Sequence, residues 1–276
     1  MDNRLVPLAD AVAESAFGGK AVSLGAAIRA GLPVPPGVAL GTTLVDRVAA
    51  GDPAAVADVL STPHIPDGRL AVRSSAVGED SVDASFAGQH ATKLNVQKTA
   101  VHEAVRVVWA SGRTEAALAY RTRKGLPAHP KVAAVVQLLI DPIAAGVLFT
   151  RHPLTGVDER MIEASWGLGE SVVSGIVVPD RVRLSPHGQV IEFEVGEKDV
   201  KISYDATDGT EETPVAEPLR RVPCLGESHL AALNDLAGRC QRIWGPALDI
   251  EWALGTDAAV YLLQCRPITT LRPESA

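Results

Sequence analysis

The sequence predicts an α+β protein built on antiparallel strands, and three observations carry that expectation. Segments with apolar residues at helical spacing are grouped, not alternated one for one with strands as a doubly wound sheet requires. Several strand-like segments alternate in polarity and follow one another through short turns, the habit of antiparallel pairs. With 276 residues and 46% hydrophobic content, the chain has the length for one large or two modest domains and the apolar mass for real cores.

Taken in order, "GKAVSLGAAIRA" from Gly19 to Ala30 is an Ala-rich amphipathic helix, and "GLPVPPGVALG" brings Gly and Pro punctuation before a short strand. Asp46 to Gly68 holds a short helical piece, "AAVADVL", between Pro-containing loops, and leads into the strand "RLAVRSS". Two helices broken by "SGR" are expected between Thr99 and Lys124. "KVAAVVQLLIDPIAAGVLFTRHP" reads as two apolar strands joined at Asp-Pro; "RMIEAS", "DRVRLS" and "QVIEFEVGEK" read as strands of alternating polarity. "SYDATDGTEETPVAEP" is expected to be an exposed loop, and the helix "ESHLAALNDLAGRCQRIWG" precedes a terminal hairpin.

The charge balance excludes some functions. Lys and Arg total 26 against 33 Asp and Glu, a formal charge of −7, which argues against broad attraction to nucleic acid or anionic lipid. An anionic ligand must be held locally. Cys224, Cys240 and Cys265 show no C-x-x-C spacing, so neither a disulfide framework nor a structural zinc site is expected. With no signal-like N-terminus and no long apolar run, the expectation is a cytoplasmic protein with no membrane span.

The terminal hairpin is the most informative stretch. Centring its turn between Asp257 and Ala258 sets Glu251 opposite Gln264 and Asp249 opposite Arg266. All four then share one face, with Ile250, Trp252, Leu263 and Cys265 on the other. Opposed Cβ atoms lie about 4.5–5.5 Å apart, so the Glu251 carboxylate and the Gln264 carbonyl are within reach of one Mg²⁺, with Arg266 beside them as a phosphate clamp. Taken alone, the alternation reads first as the wet face of an ordinary hairpin, in which Asp249 and Arg266 form a surface pair worth about 0–1 kcal/mol.

Familiar phosphate and hydrolase motifs fail. "GGKAVSLG" is not a Walker loop, since Ala21 follows Lys20; "GLGESVVSG" has Val172 where a dinucleotide fingerprint needs Gly. No H-x-x-x-H pair and no G-x-S-x-G elbow is present. What remains is Lys20 at a Gly-rich helix start, Arg73 at a strand end, and the hairpin. Singly, each cation is also readable as a surface residue.

Together, "GGKAVSLG", "AVRSSAVGEDSVDASFAGQH", "GVLFTRHPLTG", "EASWGLGESVVSGIVVPD" and "DIEWAL…YLLQCRPIT" resemble, in order and over nearly the whole chain, the nucleotide-binding domain of the phosphoenolpyruvate synthase and pyruvate phosphate dikinase family, which includes rifampin phosphotransferases. The resemblance implies an ATP-grasp fold, two lobes (residues 1–137 and 138–276) closing over ATP as substrate and Mg²⁺, or Mn²⁺ in its place. It makes Lys20 and Arg73 phosphate-binding cations, Glu251 and Gln264 metal ligands, and Arg266 the arginine at the transferred phosphates. Of these, Lys20, Arg73 and Arg266 would be catalytic. Ser74, Ser75 and the "SFAGQ" loop would bind phosphates through backbone N–H groups. Gln137 sits at the expected lobe connection, where Leu139 and its neighbours would read the adenine edge. Glu170 has either a ribose role or that of a helix-start acid.

Phosphoryl transfer needs positioning and charge neutralisation more than covalent help, which suits this equipment. The expected function is an ATP-dependent phosphotransferase component that cleaves ATP to AMP and phosphorylates a histidine, from which phosphate passes to a small-molecule acceptor. No "G-G-x-x-S-H" segment is present, so a histidine-bearing phosphocarrier domain is expected as a partner in trans or as a segment outside this sequence. The brief Asp46 to Gly68 region also departs from the family pattern and puts the first lobe's helical cap in question. The alternatives are direct phosphorylation of a small alcohol or acid, and a non-catalytic ATP-binding module.

Overall fold

A computed structural model describes residues 4–271 apart from 79, 82, 83, 86–90, 124–126, 128 and 208. The chain divides into two compact units, and each has its own antiparallel sheet.

The first unit comprises residues up to Ala30, Pro35–Leu139 and Tyr204–Gly209. Its elements are β1 (Leu5–Pro7), α1 (Glu14–Arg29), β2 (Gly37–Leu40), α2 (Thr42–Ala49), α3 (Pro53–Ser61), β3 (Leu70–Ala76), β4 (Asp80–Ser81), β5 (Ala84–Ser85), β6 (Thr92–Val96), α4 (Val101–Ser111), α5 (Glu115–Arg123) and β7 (Val132–Leu138). The main sheet runs β1-β2-β7-β3-β6, while β4 and β5 form a two-stranded ribbon. Period-two alternation sorts β3 cleanly. Leu70 and Val72 join the apolar core that α2, α3 and α4 cover with Val45, Val59 and Val105; Arg73 and Ser75 take the opposite face. Helix α3 begins where "DP" says it should: Asp52 Oδ1 accepts from the Ala54 N–H at 2.9 Å, and Pro53 occupies the first helical position.

The second unit comprises Gly31–Val34, Ile140–Ser203 and Thr210 onward. It contains β8 (Pro142–Phe149), β9 (Arg160–Trp166), α6 (Glu170–Val173), β10 (Asp180–Leu184), β11 (Val190–Glu194), all but the last residue of β12 (Val200–Tyr204), β13 (Thr210–Pro214), α7 (Glu227–Trp244), β14 (Leu248–Gly255) and β15 (Val260–Pro267). The six-stranded sheet runs β11-β10-β9-β8-β14-β15, and β12 and β13 form a two-stranded sheet. In α7, Leu230, Leu233, Leu236, Ala237 and Cys240 recur at helical spacing and are buried, and the helix packs on β14 and β15. Among the described residues, no helix is long and apolar enough to cross a membrane.

Three local expectations change. The segment from Ser203 to Pro218 is not a loop throughout, since it completes β12 and contains β13; β13 reads "TEETP" and is exposed, so it has no apolar alternation to announce it. The strands β7 and β8 flank Asp141 but enter different sheets. Helix α1 starts at Glu14, five residues before the expected start at Gly19, and is interrupted at Gly18.

A buried ion pair anchors the second unit. Lys198 and Asp180 have fully buried side chains and bond to each other. The Asp180 carboxylate also accepts from the Gly196 N–H at 2.9 Å and the Cys224 N–H at 2.8 Å. Burial first, and then the Asp180 charge, push the Cys224 thiol up, so it stays protonated. Removing one partner of such a pair leaves an uncompensated charge in the interior. Asp180→Ala is expected to lower stability by about 3–5 kcal/mol in urea unfolding. Breaking the exposed Arg221–Glu197 pair is expected to leave the unfolding midpoint nearly unchanged.

Candidate functional site

In the first unit, the residues singled out from sequence gather where α1 crosses β3. At Gly18 the backbone adopts φ 74° and ψ 168°, a conformation reserved for glycine. A Cβ there would stand 1.9 Å from the Ser75 carbonyl oxygen. Ser75 is fully buried. Its hydroxyl donates to the Phe17 carbonyl at 2.7 Å and accepts from the Ala21 N–H at 3.0 Å. Lys20 precedes Ala21 and is only 6% exposed. Arg73, two residues before Ser75, shares its face of β3, whereas Ser74 turns to the face that carries the apolar core. The turn leaving β3 is also tied to α1, since the Gly78 N–H donates to Glu14 Oε1 at 3.1 Å.

The remaining first-unit candidates lie on or just after β7. Gln137 belongs to a strand paired on both sides, and its side-chain amide donates to the Pro35 carbonyl at 3.1 Å. The Leu139 N–H donates to the Arg69 carbonyl at 2.9 Å, so that donor is committed to the fold. Of the "SFAGQ" loop, residues 86–89 lie outside the described residues.

In the second unit, β14 runs between β8 and β15. The register sets Asp249 opposite Arg266 and Glu251 opposite Gln264, as the alternation predicts. Beyond that point a bulge shifts the pairing by one residue, so Trp252 faces Leu262 and Leu263 is the extra residue. Leu262, not Leu263, therefore joins Trp252 in the interior, and both are fully buried. The entry to β14 is pinned by Thr150, whose hydroxyl donates to the Pro246 carbonyl at 2.7 Å and accepts from the Leu248 N–H at 2.8 Å.

Asp249 is more than the surface partner its spacing suggested. Its side chain is 12% exposed, and Arg266 contacts a single oxygen, Oδ2, through Nε at 2.9 Å and Nη2 at 2.7 Å. The other oxygen, Oδ1, is buried without a hydrogen-bond partner. Burial raises the Asp249 pKa; the Arg266 charge and hydrogen bonds oppose that shift, and the Glu251 charge adds to it. The face thus presents an orphaned carboxylate oxygen, the Glu251 carboxylate, the Gln264 amide and a guanidinium.

That donor set fits a hard divalent cation. All the available ligands are oxygens, and Mg²⁺ usually takes one or two carboxylates and completes its shell with water and substrate phosphate. No group of three His, Cys, Asp or Glu suited to a metal occurs among the described residues, so a closed protein cage is not on offer there. Arg266→Ala is expected to cost about 1–3 kcal/mol in urea unfolding, because a buried acceptor loses its partner. Adding Asp249→Asn to that variant is expected to recover part of the loss, since the stranded charge is gone; additive losses would contradict the coupling.

Comparison with known proteins places the chain. Residues 54–276 match the family described as "Pyruvate phosphate dikinase, AMP/ATP-binding domain". The chain is 36% identical over 304 residues to a probable phosphoenolpyruvate synthase of Methanothermobacter thermautotrophicus, covering 92% of this chain and 44% of that protein. It is 41% identical over 239 residues to a rifampicin phosphotransferase of a Streptomyces species, covering 84% of this chain and 26% of that one. A solved structure of an L-amino acid ligase from Bacillus licheniformis aligns with a TM-score of 0.44 at 14% identity, over 92% of this chain and 43% of the ligase. The chain spans less than half the length of these relatives. Since the family match runs over most of its residues, the chain belongs to the pyruvate phosphate dikinase AMP/ATP-binding domain family.

Proposed function

We propose that this chain binds ATP with a divalent cation, Mg²⁺ or Mn²⁺, and serves as the ATP-using component of a phosphotransferase that converts ATP and water to AMP, one phosphoryl group passing to a histidine and the other leaving as inorganic phosphate. The observation that carries this reading is the charged face of β14 and β15, where two acids, an amide and an arginine are held in register. The family match and the names of the relatives support the nucleotide. The histidine belongs to a phosphocarrier domain outside this sequence, and a small molecule is the final acceptor.

The residues divide the work by chemistry. Lys20 and Arg73 bind ATP phosphates, supplying positive charge where negative charge accumulates during transfer. Glu251 and Gln264 hold the cation through oxygen, and Arg266 contacts the transferred phosphates with its orientation set by Asp249. When bound, the cation neutralises phosphate charge. Leu139 meets the adenine amino group through its carbonyl, since its N–H is already used. Ser74 lies within β3, and its role toward phosphate rests on the strand's backbone.

Product analysis tests the proposal. With Mg²⁺, ATP and a histidine-bearing domain of a relative, AMP, phosphohistidine and inorganic phosphate are expected to form together, and Arg73→Ala is expected to lower the rate about 10²–10³-fold. A phosphorylated small molecule formed by this chain alone would favour direct transfer. ATP bound but left intact with every partner would mark a non-catalytic module.

A further inference from the structure

We propose that Ser75 is a positioning residue for Lys20, acting as a hydroxyl bridge spliced into a broken helix. The idea rests on the reading that Lys20 binds the ATP phosphates, and it assigns Ser75 a task other than touching nucleotide.

In an unbroken α-helix the Phe17 carbonyl would accept from the Ala21 N–H, four residues on. The break at Gly18 puts non-helical backbone between that acceptor and that donor, in the interior, where unpaired backbone groups are costly. The Ser75 hydroxyl pairs with both, donating to Phe17 and accepting from Ala21. A side chain inserted into the helix ladder is a recognised cause of kinks. Here the inserted group comes from a strand 54 residues away in sequence.

Two features make the arrangement specific. Gly18 admits Ser75 only because it has no side chain, since an added Cβ would meet both the Ser75 carbonyl oxygen and its Oγ, at 1.9 and 2.6 Å. Ser75 itself is fully buried, which withholds its hydroxyl from a phosphate in solvent. The segment between Gly18 and Ala21 carries Lys20, so the hydroxyl fixes the backbone from which that side chain extends. Because Ser75 also lies on the Arg73 face of β3, one bridge ties the strand presenting one cation to the helix presenting the other.

A double-mutant cycle on ATP and adenosine affinity tests this with the full chain. Lys20→Ala is expected to weaken ATP binding about tenfold or more, as loss of a charge-assisted contact does, and to leave adenosine binding unchanged. Ser75→Ala is expected to weaken ATP roughly three- to tenfold, also sparing adenosine, and to add little once Lys20 is gone. Ser75→Thr, which keeps the hydroxyl, is expected to restore ATP affinity. Ser75→Cys, of similar size but a poor hydrogen-bonding partner, replaces Ser75→Ala if the alanine variant does not fold. The proposal is overturned if the Ser75 and Lys20 losses multiply independently, if adenosine and ATP weaken alike, or if ATP affinity ignores Ser75. Unchanged ATP affinity in Lys20→Ala would instead remove the phosphate role of Lys20 on which the proposal stands.

Discussion

Strand β14 is hydrogen-bonded on both sides, to β8 and to β15, and that double pairing leaves its side chains no choice of face. Asp249 is locked in a row with Phe149 and Arg266, and Glu251 in a row with Val147 and Gln264. A slip of one residue would turn the acids inward and expose Ile250 and Trp252, both fully buried here. Burial of those apolar side chains therefore holds the polar face in place. Thr150 reinforces the register where the strand begins, and the bulge at Leu263 brings Gln264, rather than Leu263, opposite Glu251.

The polar face carries a cost that its chemistry explains. A carboxylate with one oxygen bonded to arginine and the other unpaired in the interior is not an arrangement stability alone would favour. Unpaired polar atoms of this kind recur where a ligand completes the set. The first unit bears a comparable mark in the left-handed glycine backbone at Gly18. Both irregularities fall beside residues that the sequence already singled out for phosphate chemistry.

How much was legible in the sequence depended on whether the signal was local. The pairing of Glu251 with Gln264 matches the sequence reading through two offsetting departures: the turn is centred on Asp257, not between Asp257 and Ala258, and the bulge at Leu263 makes up the difference of one residue. The bulge was not legible, because Leu262 and Leu263 are adjacent and equally apolar, so composition cannot say which enters the interior. Helix α2 went unread because Gly41 offers it no side-chain cap, and β13 because its polar residues carry no period-two contrast. The hydroxyl of Ser75 looked like part of a polar strand end, whereas its partners are 54 and 58 residues away, a tertiary relation with no local trace. Asp249 was visible as the partner of Arg266, but its burial depends on packing that alternation does not report.

Glu251 and Gln264 are the proposed joint ligands of a nucleotide-associated divalent cation. Mn²⁺ titration followed by electron paramagnetic resonance, with a non-hydrolysable ATP analogue present, tests that claim directly. One nucleotide-dependent Mn²⁺ site is expected, weakened at least about tenfold by Glu251→Ala and again by Gln264→Ala. Undiminished Mn²⁺ affinity in both variants, with the analogue still bound, would contradict it.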